Sequence, residues 1–401
     1  MYMMAELPTD MMKNGLGMPN ANLQDLEFLR FNSQNTFVKD MWKNCYSGIS
    51  RANTAIAKIP EIKMNESKKN RLIAEARTLR ALYYFNLVRF FGDVPLILDL
   101  KTVEDSKGPR DSKELIYDQI IEDLTFAEEH LPLRSEYSAS DEGRINKGAA
   151  KILFGKVYLT KGDFQKAKDK LAEVVEHESE YGFGLHKDYH ANWLRDTEAG
   201  IEAVLYIEYK EPPFQHNGEM ALAGPKYSIP GSLGISALNE ADIPTQELYD
   251  QFDNRDLRKK TNFKTEFAHL KTGEILKSSI PLSGKFWVEG LETGDRCDVN
   301  MHIIRYADAI LMYAEALNEV GKSTKALAML NRIRERAFGD DSGNFKPMSK
   351  DEFRTAILNE RRLEFPHEGH RWFDLVRTGT FIQRMKAVSY THLTLPTNRE
   401  V

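Results

Sequence analysis

The 401-residue sequence predicts a mainly α protein in which helical segments at both ends enclose an irregular, strand-containing interval between about residues 178 and 300. Two observations predict this. Apolar residues recur at helical spacing before and after the interval, and inside it Gly, Pro and Asn accumulate while helical periodicity is lost. The expected organisation is one assembly over 1–386, made of an N-terminal helical part (1–177), a loop-rich insertion (178–300) and a C-terminal helical part (301–386).

The elements follow in order. From Phe37, the residues Met41, Cys45 and Ile49 recur every four positions, and Val38, Trp42 and Tyr46 widen that face before a stop near Pro60. A second stripe runs from about Glu66 through Leu72, Ala76, Leu79, Tyr83, Leu87 and Phe90 and breaks at Phe91-Gly92-Asp93-Val94-Pro95. Asp111 with Glu114 fits a cap, opening a third helix that carries Leu115, Ile120, Leu124, Ala127 and Leu131 inward. Asn146 opens a fourth, bearing Ala150, Leu153, Phe154, Val157 and Tyr158; Gly162 breaks it, and Phe164, Ala167, Leu171 and Val174 start the return. A second hairpin runs from Ile304 through Ala309, Met312 and Ala316, turns at Gly321 and returns on Ala326, Leu330 and Ile333. Gly between paired helices and Ala at their contacts match the tetratricopeptide pattern in kind, although the two hairpins are not in tandem. Such a hairpin serves equally as a docking scaffold or as a plain stacked core.

Near the C-terminus, Ser349 with Glu352 forms a capping box, so a helix opens at about Lys350 and carries Phe353, Ile357 and Leu358 inward until Pro366. Gly369 permits a turn, and Trp372, Phe373, Leu375 and Val376 then form a short apolar helix ending near Gly379. Arg361, Arg362, Glu364, Arg371, Asp374 and Arg377 are interleaved with these apolar residues, an arrangement that a core tolerates when the charges are paired. They are therefore expected to stabilise the fold. His367 and His370 have the wrong spacing for a helical His-x-x-x-His zinc site and no evident third ligand, so neither a metal nor another cofactor is expected.

Composition narrows the class. A formal net charge of −5 argues against nucleic acid as the main partner, and 29% charged residues with 41% hydrophobic describe an ordinary globular chain. Cys45 and Cys297 lie far apart, which fits single buried thiols rather than a disulfide framework. Met1 to Pro8 has no basic and apolar leader pattern, and no stretch is long enough to span a bilayer.

In the central interval, Ala203 to Tyr209 reads as a strand, and Phe263 to Ile280 as a hairpin turning at Lys271-Thr272-Gly273-Glu274. Its loops carry Trp193, Phe214, His216, Tyr227 and Trp287. Flat rings on loops can stack on sugar faces or contact peptide side chains, or they can plug the loops onto the helical body.

The segment Glu360-Arg361-Arg362-Leu363-Glu364-Phe365-Pro366-His367-Glu368-Gly369-His370-Arg371-Trp372-Phe373-Asp374-Leu375-Val376-Arg377-Thr378-Gly379 resembles the C-terminal signature of the SusD/RagB family. Three further stretches carry the resemblance in family order: Trp42 to Asn53, Ala74 to Leu96, and Arg305-Tyr306-Ala307-Asp308 with Tyr313 to Glu319. The resemblance implies a SusD-like scaffold and an outer-membrane, cell-surface lipoprotein that hands an oligosaccharide, or alternatively a peptide, to a SusC-like TonB-dependent transporter barrel without catalysis. Relative to that family the chain looks truncated before residue 1, where a signal and a lipid-bearing cysteine are expected, and residues 387–401 resemble a non-native tail. The matching motifs mark scaffold, and the family's ligand residues lie on variable loops outside them. Ligand contacts are therefore expected from composition and position at Trp193, Tyr227 and Trp287, and at Phe28, Phe31 and Asn32 before the first clear helix.

Two other classes compete. A carbohydrate-active hydrolase needs two carboxylates at a suitable separation, for which Glu208 and Asp242 can be nominated, but no nucleophile elbow, phosphate loop or zinc helix motif is present. An intracellular tetratricopeptide-type adaptor would bind a partner peptide and no sugar.

Overall fold

The computed structural model describes residues 2–15, 20–99, 108–210, 218–229, 233–294 and 297–393. Phe214 and His216 lie outside the described residues.

Side-chain caps set most helix starts. After α1 (Tyr2–Glu6) and α2 (Ala21–Glu27), the long α3 (Thr36–Lys58) and α4 (Glu66–Phe91) begin at Asn35 and Asn65, whose side-chain oxygens accept the N–H groups of Phe37 and Ser67. The next helix, α5 (Lys113–His130), corrects the expected cap. Ser112 Oγ accepts the Leu115 N–H, whereas Asp111 pairs its backbone with Val94 and gives its carboxylate to the Leu96 N–H at 2.7 Å. With the start fixed there, Ile116, Ile120, Leu124 and Ala127 form the buried stripe, and Leu115 points out at 45% exposure instead of inward.

The hairpin α6 (Lys147–Lys161) and α7 (Phe164–Val175) turns at Gly162, which takes the left-handed conformation (φ 79°) that glycine adopts without strain. Gly155 lets α6 approach Leu171 of α7 so closely that a Cβ there would overlap the leucine side chain. After the short α8 (Glu178–Tyr181), α9 (Glu219–Ala223), α10 (Gln246–Gln251) and α11 (Arg258–Asn262), the second hairpin is α12 (Tyr306–Glu319) and α13 (Ser323–Phe338). It starts two residues after the expected Ile304, because residues 301–305 pair as a strand. Helix α12 is buried on nearly every side, and α7 packs against it, so the two hairpins are neighbours in space although about 130 residues separate them. The chain closes with α14 (Lys350–Glu364), opened by the Ser349–Glu352 capping box, then α15 (Arg371–Arg377) and α16 (Phe381–Leu393). Val376 is 45% exposed rather than inward, and helical backbone continues beyond residue 386.

Strands occur as three separate antiparallel pairs. β1 (Met12–Lys13) and β2 (Ala203–Ile207) pair with β3 (Ile243–Pro244) and β6 (Met301–Arg305) respectively, and β4 (Phe263–Ala268) with β5 (Ile275–Ser283) forms the expected hairpin, with Gly273 at φ 71° in its turn. Among the described residues these two-stranded ribbons are the whole β content.

The charges of the C-terminal signature are all paired inside. Glu364 accepts from Arg305 and Arg258 at 3.0 Å each and from Arg336 at 2.6 Å; Glu368 accepts from Arg305 Nε at 2.7 Å and Lys285 Nζ at 2.6 Å. Arg361 bridges Asp308 and Asp374 at 2.7 Å each, and Arg362 and Arg371 meet Asp10. Each removed partner would leave a charge stranded in low dielectric, which is why this segment is a structural joint. Cys45 and Cys297 are buried free thiols.

Candidate functional site

The β1·β3 ribbon brings two segments of the chain together. β1 leads through Asn14 towards α2, and the Asn14 backbone N–H donates to the Glu27 carboxylate at the end of that helix, whose pKa burial raises. Three residues before β3, Glu240 lies so near Gly15 that a Cβ on the glycine would overlap the Glu240 carbonyl. The Phe28 segment and the loop that Glu240 organises are thereby tied together.

That loop presents Tyr227. The buried Glu240 carboxylate accepts three consecutive backbone N–H groups through Oε2: Lys226 at 2.8 Å, Tyr227 at 2.7 Å and Ser228 at 3.1 Å. The backbone under this grip is strained. Glu240 and Ala237 have φ of 51° and 57°, and Leu29, next to Phe28, has 55°; these are three of the four non-glycine residues with positive φ among the described residues. Strain of this kind persists where surrounding structure imposes it and gathers at ligand sites. The side chains so displayed are large and apolar: Tyr227 is 63% exposed with Lys226 Nζ 5.5 Å from its ring centre, and Phe28 is 59% exposed with the Arg30 guanidinium 5.0 Å from its ring.

Phe31 and Asn32 lie beyond Phe28 on the wall of an aromatic cleft of about 510 Å³, which Trp42, Phe91, Arg110 and Trp372 also line. Asn32 accepts the Gln34 N–H at 2.8 Å, which fixes the turn into α3. Trp287 is half-buried, edge-on to Phe267 at 4.7 Å, and its indole N–H meets no acceptor among the described residues. Trp193 differs from a loop ring displayed to ligand. It is 3% exposed, T-shaped against Tyr189 at 4.9 Å, with Lys285 Nζ and the Arg305 guanidinium 4.5 and 5.2 Å from its ring, so it shields the buried ion pairs. Burial lowers Lys285 to about 8 against the pull of Glu368. Trp193 also lines an open cavity of about 690 Å³ together with Tyr83, Tyr206, His302 and His367.

The nominated carboxylates have unlike surroundings. Glu208 is exposed beside Lys210, whereas Asp242 is wholly buried with an oxygen 3.3 Å from His367 Nδ1. Among the described residues, no group of three or more His, Cys, Asp or Glu side chains is arranged to hold a metal ion, and no helix is long and apolar enough to cross a membrane.

Comparison with known proteins agrees with this architecture. The SusD-like protein P2 of Formosa agariphila is 31% identical over 380 residues, spanning 86% of this chain and 72% of that protein. The chain belongs to the SusD family. The SusD family model matches residues 277–398, and a second model, described as starch-binding associating with outer membrane, matches residues 2–159. A SusD superfamily structure from Parabacteroides distasonis superposes with a TM-score of 0.82 at 27% identity, covering 94% of this chain and 82% of that one. A laminarin binding SusD-like protein gives the same TM-score and identity over 99% of this chain and 89% of its own. The SusD signature segment is the Arg361 to Asp374 joint described above, which carries no displayed ligand contact; Glu240 and the strained loop around it were missed in the sequence, where an acidic residue among Ala, Leu and Asn gives no signal.

Proposed function

We propose that this SusD-family chain is a cell-surface glycan-binding protein that captures an oligosaccharide and passes it, chemically unaltered, to a TonB-dependent outer-membrane transporter, with a lipid anchor preceding the sequence given. The observation that carries the reading is Tyr227: an exposed ring whose segment is held by three N–H bonds, at Lys226, Tyr227 and Ser228, to the one buried carboxylate of Glu240, a residue itself in a strained conformation. Holding a large ring rigidly in water has no benefit for the fold, whereas a pre-ordered ring stacks on a sugar with little further loss of entropy. Phe31 and Asn32 extend the face towards the aromatic cleft, and half-buried Trp287 is the second ring to test. The family description as starch-binding and the laminarin-binding relative support sugar over peptide as ligand.

Calorimetry with laminarin and starch oligosaccharides tests the reading, together with product analysis of the same mixtures. Saturable binding that weakens in Tyr227→Ala, with the glycan recovered intact, is expected. Released shorter sugars, or Tyr227→Ala and Phe28→Ala variants that bind like the parent, would overturn the reading.

A further inference from the structure

Arg89, near the C-terminus of α4, is a half-buried guanidinium without a carboxylate partner among the described residues. Its Nε donates to the Phe85 carbonyl at 3.2 Å and its Nη2 to the Asn86 side-chain oxygen, and its flat faces meet the rings of Phe85 and Phe373, 4.0 and 3.7 Å from the guanidinium carbon. Nη1 donates to no acceptor among the described residues. Elsewhere in this core cations are matched: Arg80 with Asp123, Arg305 with Glu202, Glu364 and Glu368, Arg377 with Glu315 and Asp374. The nearest acids on the inner side of Arg89 are already engaged. Asp308 is held by Lys156 and Arg361, and Asp374 by Arg361 and Arg377. Burial lowers Arg89 to about 10, so the charge lacks full compensation.

Outward, Arg89 faces a cleft of about 450 Å³ between the end of α4, the start of α5, the end of α6 and α15. Four cations line it, Arg89, Lys113, Lys161 and Arg377, against the single carboxylate of Glu114. Lys161 has no ion pair among the described residues and sits 4.6 Å from the Tyr117 ring; Lys113 reaches only the exposed Glu114, at 4.0 Å. The volume is that of a small-ligand site. A guanidinium edge at the floor, exposed ammonium groups at the rim and a neutral Thr160 beside them form a set of donors that outnumbers the one carboxylate, Glu114, on the wall.

We propose that this cleft is a second binding site, specific for a uronate-type sugar whose carboxylate meets Arg89 Nη1 while Lys161 and Lys113 close over it. It is separate from the Tyr227 face, since none of its lining residues belongs to that face, so the protein takes charged sugars at one place and neutral rings at another.

The test is calorimetry at low ionic strength with D-glucuronate, with glucose and sodium sulfate as comparison probes. Glucuronate should bind saturably and glucose should not, and the affinity should fall as salt is added. The surface double variant Lys113→Gln/Lys161→Gln keeps the core intact and should weaken glucuronate binding by about fivefold or more, while oligosaccharide binding through Tyr227 stays unchanged. Arg89→Gln should abolish glucuronate binding; if it unfolds, the double variant still decides. Absence of saturable glucuronate binding, equal binding of glucose, binding of sulfate without glucuronate, or undiminished affinity in the double variant would each overturn the proposal, and none of these outcomes bears on Tyr227.

Discussion

Asp10 and Arg371, 361 positions apart in sequence, form a two-pronged ion pair in which Nε meets Oδ1 at 2.8 Å and Nη2 meets Oδ2 at 2.9 Å. Arg362 at 3.2 Å and Arg384 at 2.6 Å complete the ring of cations around the same carboxylate. Burial alone would push Asp10 up, but the Arg371 hydrogen bonds and the surrounding charges win and hold it well below the usual carboxylate range. One acid therefore pins the N-terminal segment to the C-terminal signature.

Asp10→Ala should destabilise the protein by about 3–5 kcal/mol, because it leaves Arg371 and Arg362 buried without their counter-charge. Asp374→Ala should do the same through Arg361 and Arg377. Urea denaturation of each variant measures the loss. Stability equal to the parent, combined with lost sugar binding, would move these residues from the fold to the site.

Acid should act on the same joint. In Glu364 burial raises the pKa, but Arg336, Arg305 and Arg258 outweigh it and lower the group to about 2, from an ordinary 4.5. A carboxylate depressed in the folded state stabilises it above the unfolded pKa, and that contribution is lost as pH falls through the folded value. Stability should therefore decline between about pH 4.5 and 2, and Glu364→Gln, though weaker throughout, should show a shallower decline over that window.

Glu198 runs the other way. Burial raises it to about 7, partly offset by the Asn300 N–H it accepts. The folded state then holds a proton that the unfolded chain releases, so stability should fall as pH rises from about 4.5 to 7. Glu198→Gln should remove that slope; denaturant midpoints across the range report it, and an unchanged slope would show that another group carries the effect.

Tyr227 and Trp193 should separate cleanly. Tyr227→Ala should lower glycan affinity by at least about 1 kcal/mol with the melting temperature almost unmoved. Trp193→Ala should lower stability by about 3–5 kcal/mol, since the ring is 3% exposed over Lys285 and Arg305. Calorimetry and thermal melts on both variants check the contrast. Glu240→Ala should weaken binding nearly as much as Tyr227→Ala, because it frees three N–H groups and the loop they hold.

The sequence by itself determined the helices from α3 to α7 and from α12 to α15, because periodicity and caps act within a few residues. Asn146, Gly162, Gly321 and the Ser349–Glu352 box act locally and could be read without neighbours. It also determined that Arg361, Glu364 and Asp374 must be paired, since charges among Phe and Leu leave little alternative. It could not name their partners: Arg258, Arg305, Arg336 and Asp308 come from other elements of the chain, and only folding brings them within 3 Å or so. Asp111 misled for a related reason, as the tertiary contact with the strand-like Val94 to Leu96 segment gave the Leu96 N–H the carboxylate that local geometry assigned to a cap. The stacking of α7 on α12 and the burial of Trp193 are likewise tertiary outcomes. So is the grip of Glu240 on Tyr227, because whether a ring on a loop faces water or the core depends on what packs behind it, which no run of adjacent residues encodes.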